Sequence, residues 1–191
     1  MNPLRLIDFR RFTACTFAYT SALLLMFGMQ TASASECDLT QERNIAFSAP
    51  EAKDTLRVHI YGDSCSESEV DIVVINAKQQ LLYQYTGKLA KLMPYKLHEP
   101  ELSQVVVAFA EQLLNVANSR STKFLPRYTN VDDFYEATND FVVISTAEYE
   151  ALRQQDKPII WHATGDSSWV HLVYDPKRQA SRVIMRGGVF H

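Results

Sequence analysis

Glycine is scarce in this chain: six occur in 191 residues, and none falls in a phosphate-cradling loop, so a backbone-lined nucleotide site is not expected. No Lys/Arg-rich run appears either, and the chain carries a formal charge of −3. Nucleic acid and anionic membrane surfaces are therefore poor partners. Metalloprotease-type His-Glu-x-x-His, redox or zinc Cys-x-x-Cys, and Cys-x-x-Cys-His for haem are all absent. The acidic residues are scattered rather than arranged as a recognisable acid/base pair. There is no internal repeat, low-complexity tract or Gly/Ser linker.

What is present begins at the N-terminus. Arg5, Arg10 and Arg11 precede an apolar run from Phe12 to Met29, and Ala32-Ser33-Ala34 follows as a small-x-small cleavage site. This is the pattern of a bacterial secretory signal. It divides the chain into residues 1–34, a signal peptide, and 35–191, a single exported domain in the periplasm or outside the cell. The run is also long enough for an uncleaved anchor, although Thr13, Thr16, Tyr19, Thr20 and Ser21 dilute its first half. Glu36 argues against lipid modification at Cys37, and the residues around Arg10-Arg11 fit the general secretory route better than twin-arginine export.

Cleavage would remove three arginines and Asp8, which leaves 16 basic and 21 acidic residues, a net charge of −5. It would also remove Cys15, one of three cysteines. Cys37 and Cys65 then remain in an oxidising compartment and are expected to form one disulfide.

The first half of the exported part reads as strands. Asn44–Ser48 is a short alternating run, Leu56–Tyr61 alternates cleanly, Val70–Ile75 is β-branched, and Leu81–Tyr85 returns after a turn at residues 76–79. A helix is predicted over residues 100–118, with Pro100 at its first position and an apolar stripe through Leu102, Val105 or Val106, Phe109, Leu113 and Val116 or Ala117. Val107, Ala108 and Ala110 widen that stripe, so the helix should lie largely buried.

Asn130-Val131-Asp132-Asp133 opens a short helix. Phe141–Ile144 is a strand, Ser145 and Glu148 form a capping box, and Ile159–Ala163 is a strand again. If these two strands run parallel in one sheet, the crossover is right-handed. Trp169–Tyr174 and Arg182–Met185 complete the set. The fold class is α+β: a mostly antiparallel sheet of about seven strands, one long buried helix and a second helix in a strand–helix–strand crossover, with the signal helix outside the fold. One sheet or two is left open.

Three constellations bear on chemistry. Gly62-Asp63-Ser64, following a strand, resembles the first block of the GDSL-type hydrolases, whose serine is the nucleophile. The resemblance covers these three residues only. The family's Gly-x-Asn-Asp block is met by Ala137-Thr138-Asn139-Asp140, without the glycine, and its Asp-x-x-His block is absent. No catalytic role is carried onto Ser64.

Second, His162 and His171 flank the turn Gly165–Ser168. With an even-numbered loop they face each other across a hairpin, close enough to share zinc or copper, with His59, His191 or a carboxylate as third ligand. A slip of one residue puts His171 opposite Trp161 instead.

Third, aromatics are dense: Tyr83, Tyr85, Tyr95, Phe124, Tyr128, Phe134, Tyr135 and Trp169. Of these, Phe124, Tyr128, Phe134 and Tyr135 form the candidate interface, because their segment is loop-rich with polar interruptions.

Taken together, these features predict a small, exported, non-catalytic module that binds a protein or small ligand in the periplasm, of inhibitor or immunity type among the possibilities, with no cofactor. The alternative is a small periplasmic metal-binding protein or hydrolase using His162 and His171. Neither nucleic acid nor, after cleavage, a membrane is expected as partner.

Overall fold

The structure is a computed structural model and describes residues 37–93, 102–116 and 120–188. The expected signal segment, the predicted helix start at Pro100, Tyr95 and His191 lie outside these residues. Among the described residues, no helix is long and apolar enough to cross a membrane.

Among the described residues, nine strands form two antiparallel sheets. The first has four strands in sequential order: β1 (Cys37–Ile45), β2 (Asp54–Gly62), β3 (Glu69–Ile75) and β4 (Leu81–Lys88). One face is apolar, built by Leu56, Val58 and Ile60 of β2 and Val70, Ile72 and Val74 of β3. The other carries half-exposed and exposed polar groups, as expected of an antiparallel sheet with one wet side. There Glu42 pairs with Arg57, Asp38 with His59, and Glu69 with Lys88.

The sequence pattern misplaces β1. The strand is mostly polar and lies at the sheet edge, so little apolar alternation marks it. It stops before the predicted Ser48 because the buried carboxylate of Asp54 accepts the amide hydrogens of Phe47 and Ser48 instead. The predicted Cys37–Cys65 bridge is formed, tying the start of β1 to the turn after β2.

A short helix, α1 (Leu89–Leu92), follows β4, and α2 (Leu102–Val116) is the predicted long helix. α2 is amphipathic rather than wholly buried. Val106, Ala110, Leu113 and Leu114 enter the core, whereas Val107 is 39% exposed and Ala108 also faces outward.

The second sheet has the order β5-β7-β8-β9-β6, with β5 (Arg120–Ser121), β6 (Asp140–Val142), β7 (Pro158–Gly165), β8 (Ser168–Asp175) and β9 (Ala180–Gly188). Helix α3 (Val131–Thr138) precedes β6, and α4 (Thr146–Arg153) lies between β6 and β7. The Ser145–Glu148 capping box is formed.

The strand–helix–strand unit β6-α4-β7 does lie in one sheet, but its strands are not parallel. β6 is antiparallel to β9, β9 to β8, and β8 to β7, so β6 and β7 run in opposite directions with two strands between them. The handedness rule for parallel crossovers therefore does not apply. Among the described residues the strands number nine rather than about seven, and the question left open between one sheet and two is answered by two.

The second sheet is covered on both faces. Ile160, Val170 and Leu172 join the core made by the first sheet and α2. Ile159, Val173 and Met185 point the other way and pack with Phe134 of α3, Tyr149 of α4 and Leu125 of the preceding loop. Double coverage explains why Val170 to Val173 are buried without alternation.

Candidate functional site

The hairpin between β7 and β8 decides where the two histidines go. Pairing starts as Gly165 opposite Ser168, the register that would bring His162 opposite His171. A bulge at Thr164 then slips it by one residue, so Trp161 faces His171 and His162 faces Val170. Because successive side chains alternate between faces, the two imidazoles lie on opposite sides of the sheet. The facing pair that would share one zinc or copper ion is not formed. His59, named as a third ligand, lies apart from both on the wet face of the first sheet, with Nε2 3.1 Å from Asp38.

His162 is 1% exposed and joins the two sheets. Its Nδ1–H donates to the Ala163 carbonyl at 2.7 Å. A carbonyl can only accept, so this fixes the tautomer and leaves Nε2 to accept from the Tyr83 hydroxyl at 2.6 Å. The Tyr85 ring centroid is 4.9 Å from the imidazole, and the Tyr85 hydroxyl donates to the Thr164 carbonyl at 2.9 Å. Burial pushes the His162 pKa down to about 4, against the opposing effect of the Ala163 carbonyl. Burial also raises the Tyr83 phenol. Both groups stay neutral, and the arrangement reads as a structural bolt.

His171, on the opposite face, is 2% exposed, and its surroundings differ. Nε2 is 3.2 Å from Oδ1 of Asp140, the first residue of β6. The same oxygen accepts the Trp169 indole N–H at 2.7 Å. Two sheet positions make this possible. Asp140 and Trp169 both pair with Gly187 of β9, the strand between them. A Cβ at Gly187 would sit 2.1 Å from the indole nitrogen and 2.4 Å from the carboxylate oxygen. Glycine is required there because the indole crosses β9 where a side chain would stand.

A carboxylate oxygen accepts, so Nε2 of His171 carries the hydrogen of this bond. Nδ1 has no hydrogen-bond partner among the described residues. The ring forms part of the wall of a cleft of about 370 Å³, beside Asp140 and Thr138. Its apolar walls are Leu125, Pro126, Ile159 and Met185, with Phe124, Arg120 and Ser121 completing it. Phe124, 74% exposed, also lies beneath the Lys123 ammonium at 5.2 Å. The two hydroxyls of the cleft are already committed: Ser121 donates to the Asp156 carboxylate, and Thr138 to the Phe134 carbonyl.

The predicted aromatic interface divides. Phe134 is core, and Tyr128 packs on it with ring centroids 5.4 Å apart. Tyr135 stacks on Phe141 at 4.5 Å and donates to the Gly188 carbonyl. Phe124 is the member that stands out into solvent.

Ser64 lies in the polar turn beside the disulfide, with its Oγ 3.1 Å from that of Ser66. Neither His162 nor His171 is hydrogen-bonded to it. The sequence had no signal for Asp140 as the partner of His171, or for Gly187 as the residue between Asp140 and Trp169, since strand order alone brings them together. In the sequence Asp140 stands only in the Ala137-Thr138-Asn139-Asp140 near match, just before the strand Phe141–Ile144.

No family model matches the chain, and comparison with curated proteins and solved structures also returns no match.

Proposed function

We propose that this protein is an exported, non-catalytic module that binds a small ligand in the cleft beside His171. One observation carries the reading: a nearly inaccessible imidazole, hydrogen-bonded to Asp140, forms part of a cleft wall, and its buried Nδ1 has no hydrogen-bond partner among the described residues. Buried polar atoms without partners are rare in native proteins and mark places where a water, an ion or a ligand belongs. Apolar walls with a few convergent polar groups are the usual composition of a ligand site.

Two further observations support the reading. The cleft hydroxyls of Ser121 and Thr138 donate elsewhere, which leaves the Asp140–His171 pair without an evident nucleophile to activate. The Cys37–Cys65 bridge suits a periplasmic or extracellular address, as the N-terminal segment does.

A fragment screen by two-dimensional NMR on the oxidised, exported protein tests the proposal. Binders should perturb Ile159, His171 and Met185 together, and Phe124→Ala should weaken them. A chemically diverse library that leaves these residues untouched would overturn it.

A further inference from the structure

We infer that the cleft beside His171 takes a small apolar carboxylate, with the carboxylate on the Arg120 guanidinium and the apolar body against Leu125, Pro126, Ile159 and Met185. The inference rests on the binding reading above and names the chemical class of ligand for that same site.

The sheet register places the cation. Arg120 of β5 is paired with Ile159 of β7, and directly paired residues present their side chains to one face. That face is the one of His171 and Met185. Trp161, two residues beyond Ile159, stands opposite His171, which in turn stands opposite Met185. The Arg120 side chain therefore leaves the edge strand on the same side as the apolar walls, and the residue lines the cleft.

The ion pairs leave this cation without a partner. No acidic residue occurs between Glu111 and Asp132, a stretch that holds Arg120, Lys123 and Arg127. The Lys123 ammonium is 3.6 Å from Asp156, and Arg153 donates to Glu150 and to the Leu125 carbonyl. The Arg120 side chain has no hydrogen bond or ion pair among the described residues. The other charge on the wall, Asp140, is only 7% exposed, and its Oδ1 accepts from Trp169 and His171. The exposed charge of the cleft is thus positive. A guanidinium matches a carboxylate with two parallel N–H···O bonds. Phe124, exposed at the same cleft, adds apolar surface for the body of the ligand.

This local charge opposes the field of the whole chain. The net charge of −3 disfavours an anion at long range. A preference for an anion over its neutral twin therefore has to come from a group in the cleft itself.

The test uses two matched pairs: phenylacetate with phenylacetamide, and octanoate with octanamide. Each amide keeps the shape of its acid and removes the charge. The probes are titrated at neutral pH into the disulfide-bonded protein, while NMR follows the methyl groups of Ile159 and Met185 and the Arg120 Nε–H. At least one carboxylate should shift all three and bind about fivefold more tightly than its amide, the upper range for an exposed ion pair. Added salt should shrink that preference.

Arg120→Gln, at an exposed position in a two-residue strand, should abolish the preference and leave amide binding in place. Lys123→Gln should keep it, because that ammonium is already paired with Asp156. A preference lost in Lys123→Gln and retained in Arg120→Gln would overturn the assignment. Should Arg120→Gln not fold, the salt dependence and the Nε–H shift decide the question in the unaltered protein. Amides binding as tightly as their acids, with Nε–H unmoved, would overturn the inference and leave the binding module standing. No response of the cleft to any of these probes also overturns it, while the broader reading falls only if the diverse library is blank as well.

Discussion

Gly187 shows how much one residue can carry. Its missing side chain lets an indole reach across a strand to a carboxylate, and that carboxylate orients His171. Gly187→Ala is expected to displace Trp169 and leave Asp140 under-bonded, at a cost of about 1–3 kcal/mol. Chemical denaturation measures the loss. The emission of Trp169 should change with it, and an unaltered midpoint and spectrum would show that the strand yields without breaking the bond. None of this was legible from the sequence. Gly187-Gly188 lies just past the strand read at Arg182–Met185, and only the order β8-β9-β6 gives it two neighbours to accommodate. His171 was a candidate in the sequence, and of the two registers weighed for it the one that sets it opposite Trp161 is formed. The bulge at Thr164 slips the hairpin by one residue and exchanges its faces.

Among the elements, α4 is the one its local sequence specifies most completely. Ser145 accepts the Glu148 amide hydrogen, and the Glu148 side chain returns to the Ser145 amide. The Arg182 guanidinium reaches Glu148 from β9 and is the main cause that lowers its carboxyl to about 2, with Ser145 adding to the effect. Ser145→Ala should destabilise the fold by about 1 kcal/mol, read as a lower urea midpoint with unchanged slope. A neutral result would mean that the Arg182 tie positions the helix without its cap.

Strands were read with unequal success for a physical reason. β2 and β3 have one dry and one wet face, and the first reads as clean alternation. β8 is dry on both faces, so its apolar run marks a strand without revealing its register. The edge strand β1 shows almost no alternation, and its start was missed. In α2, the wide apolar stripe overstated burial, because Val107 and Ala108 face outward.

For the whole molecule, the junction between the sheets passes through a buried neutral histidine. Because the pKa of His162 is about 4 when folded and near 6.5 when unfolded, its contribution to stability is fully present above pH 6.5. That contribution, about 3 kcal/mol, is lost progressively as pH falls from 6.5 towards 4, where the unfolded state binds the extra proton. Unfolding free energies measured across this range should fall with acid in the native protein, and the slope should flatten in His162→Gln. Equal slopes in both proteins would place the acid sensitivity elsewhere.

The Cys37–Cys65 bridge acts through the unfolded chain. A free-thiol assay on unreduced residues 35–191 should find neither cysteine reactive. Reduction should destabilise by about 3.5 kcal/mol in the chain-entropy picture, less any native strain. Two reactive thiols would refute the bridge.

The sequence by itself determined the local features: the strand-rich first half, the capped helix α4, the turn signals and the cysteine pairing. Each depends on neighbouring residues or on simple counting. Tertiary structure decided which strands share a sheet, that the second sheet is dry on both faces, and that His162 and His171 part company. Those outcomes follow from strand order and from a one-residue bulge, and each is fixed by packing between segments far apart in the chain. The cleft beside His171 belongs to this second group, since its walls come from the β5 turn, β6, β7, β8 and β9.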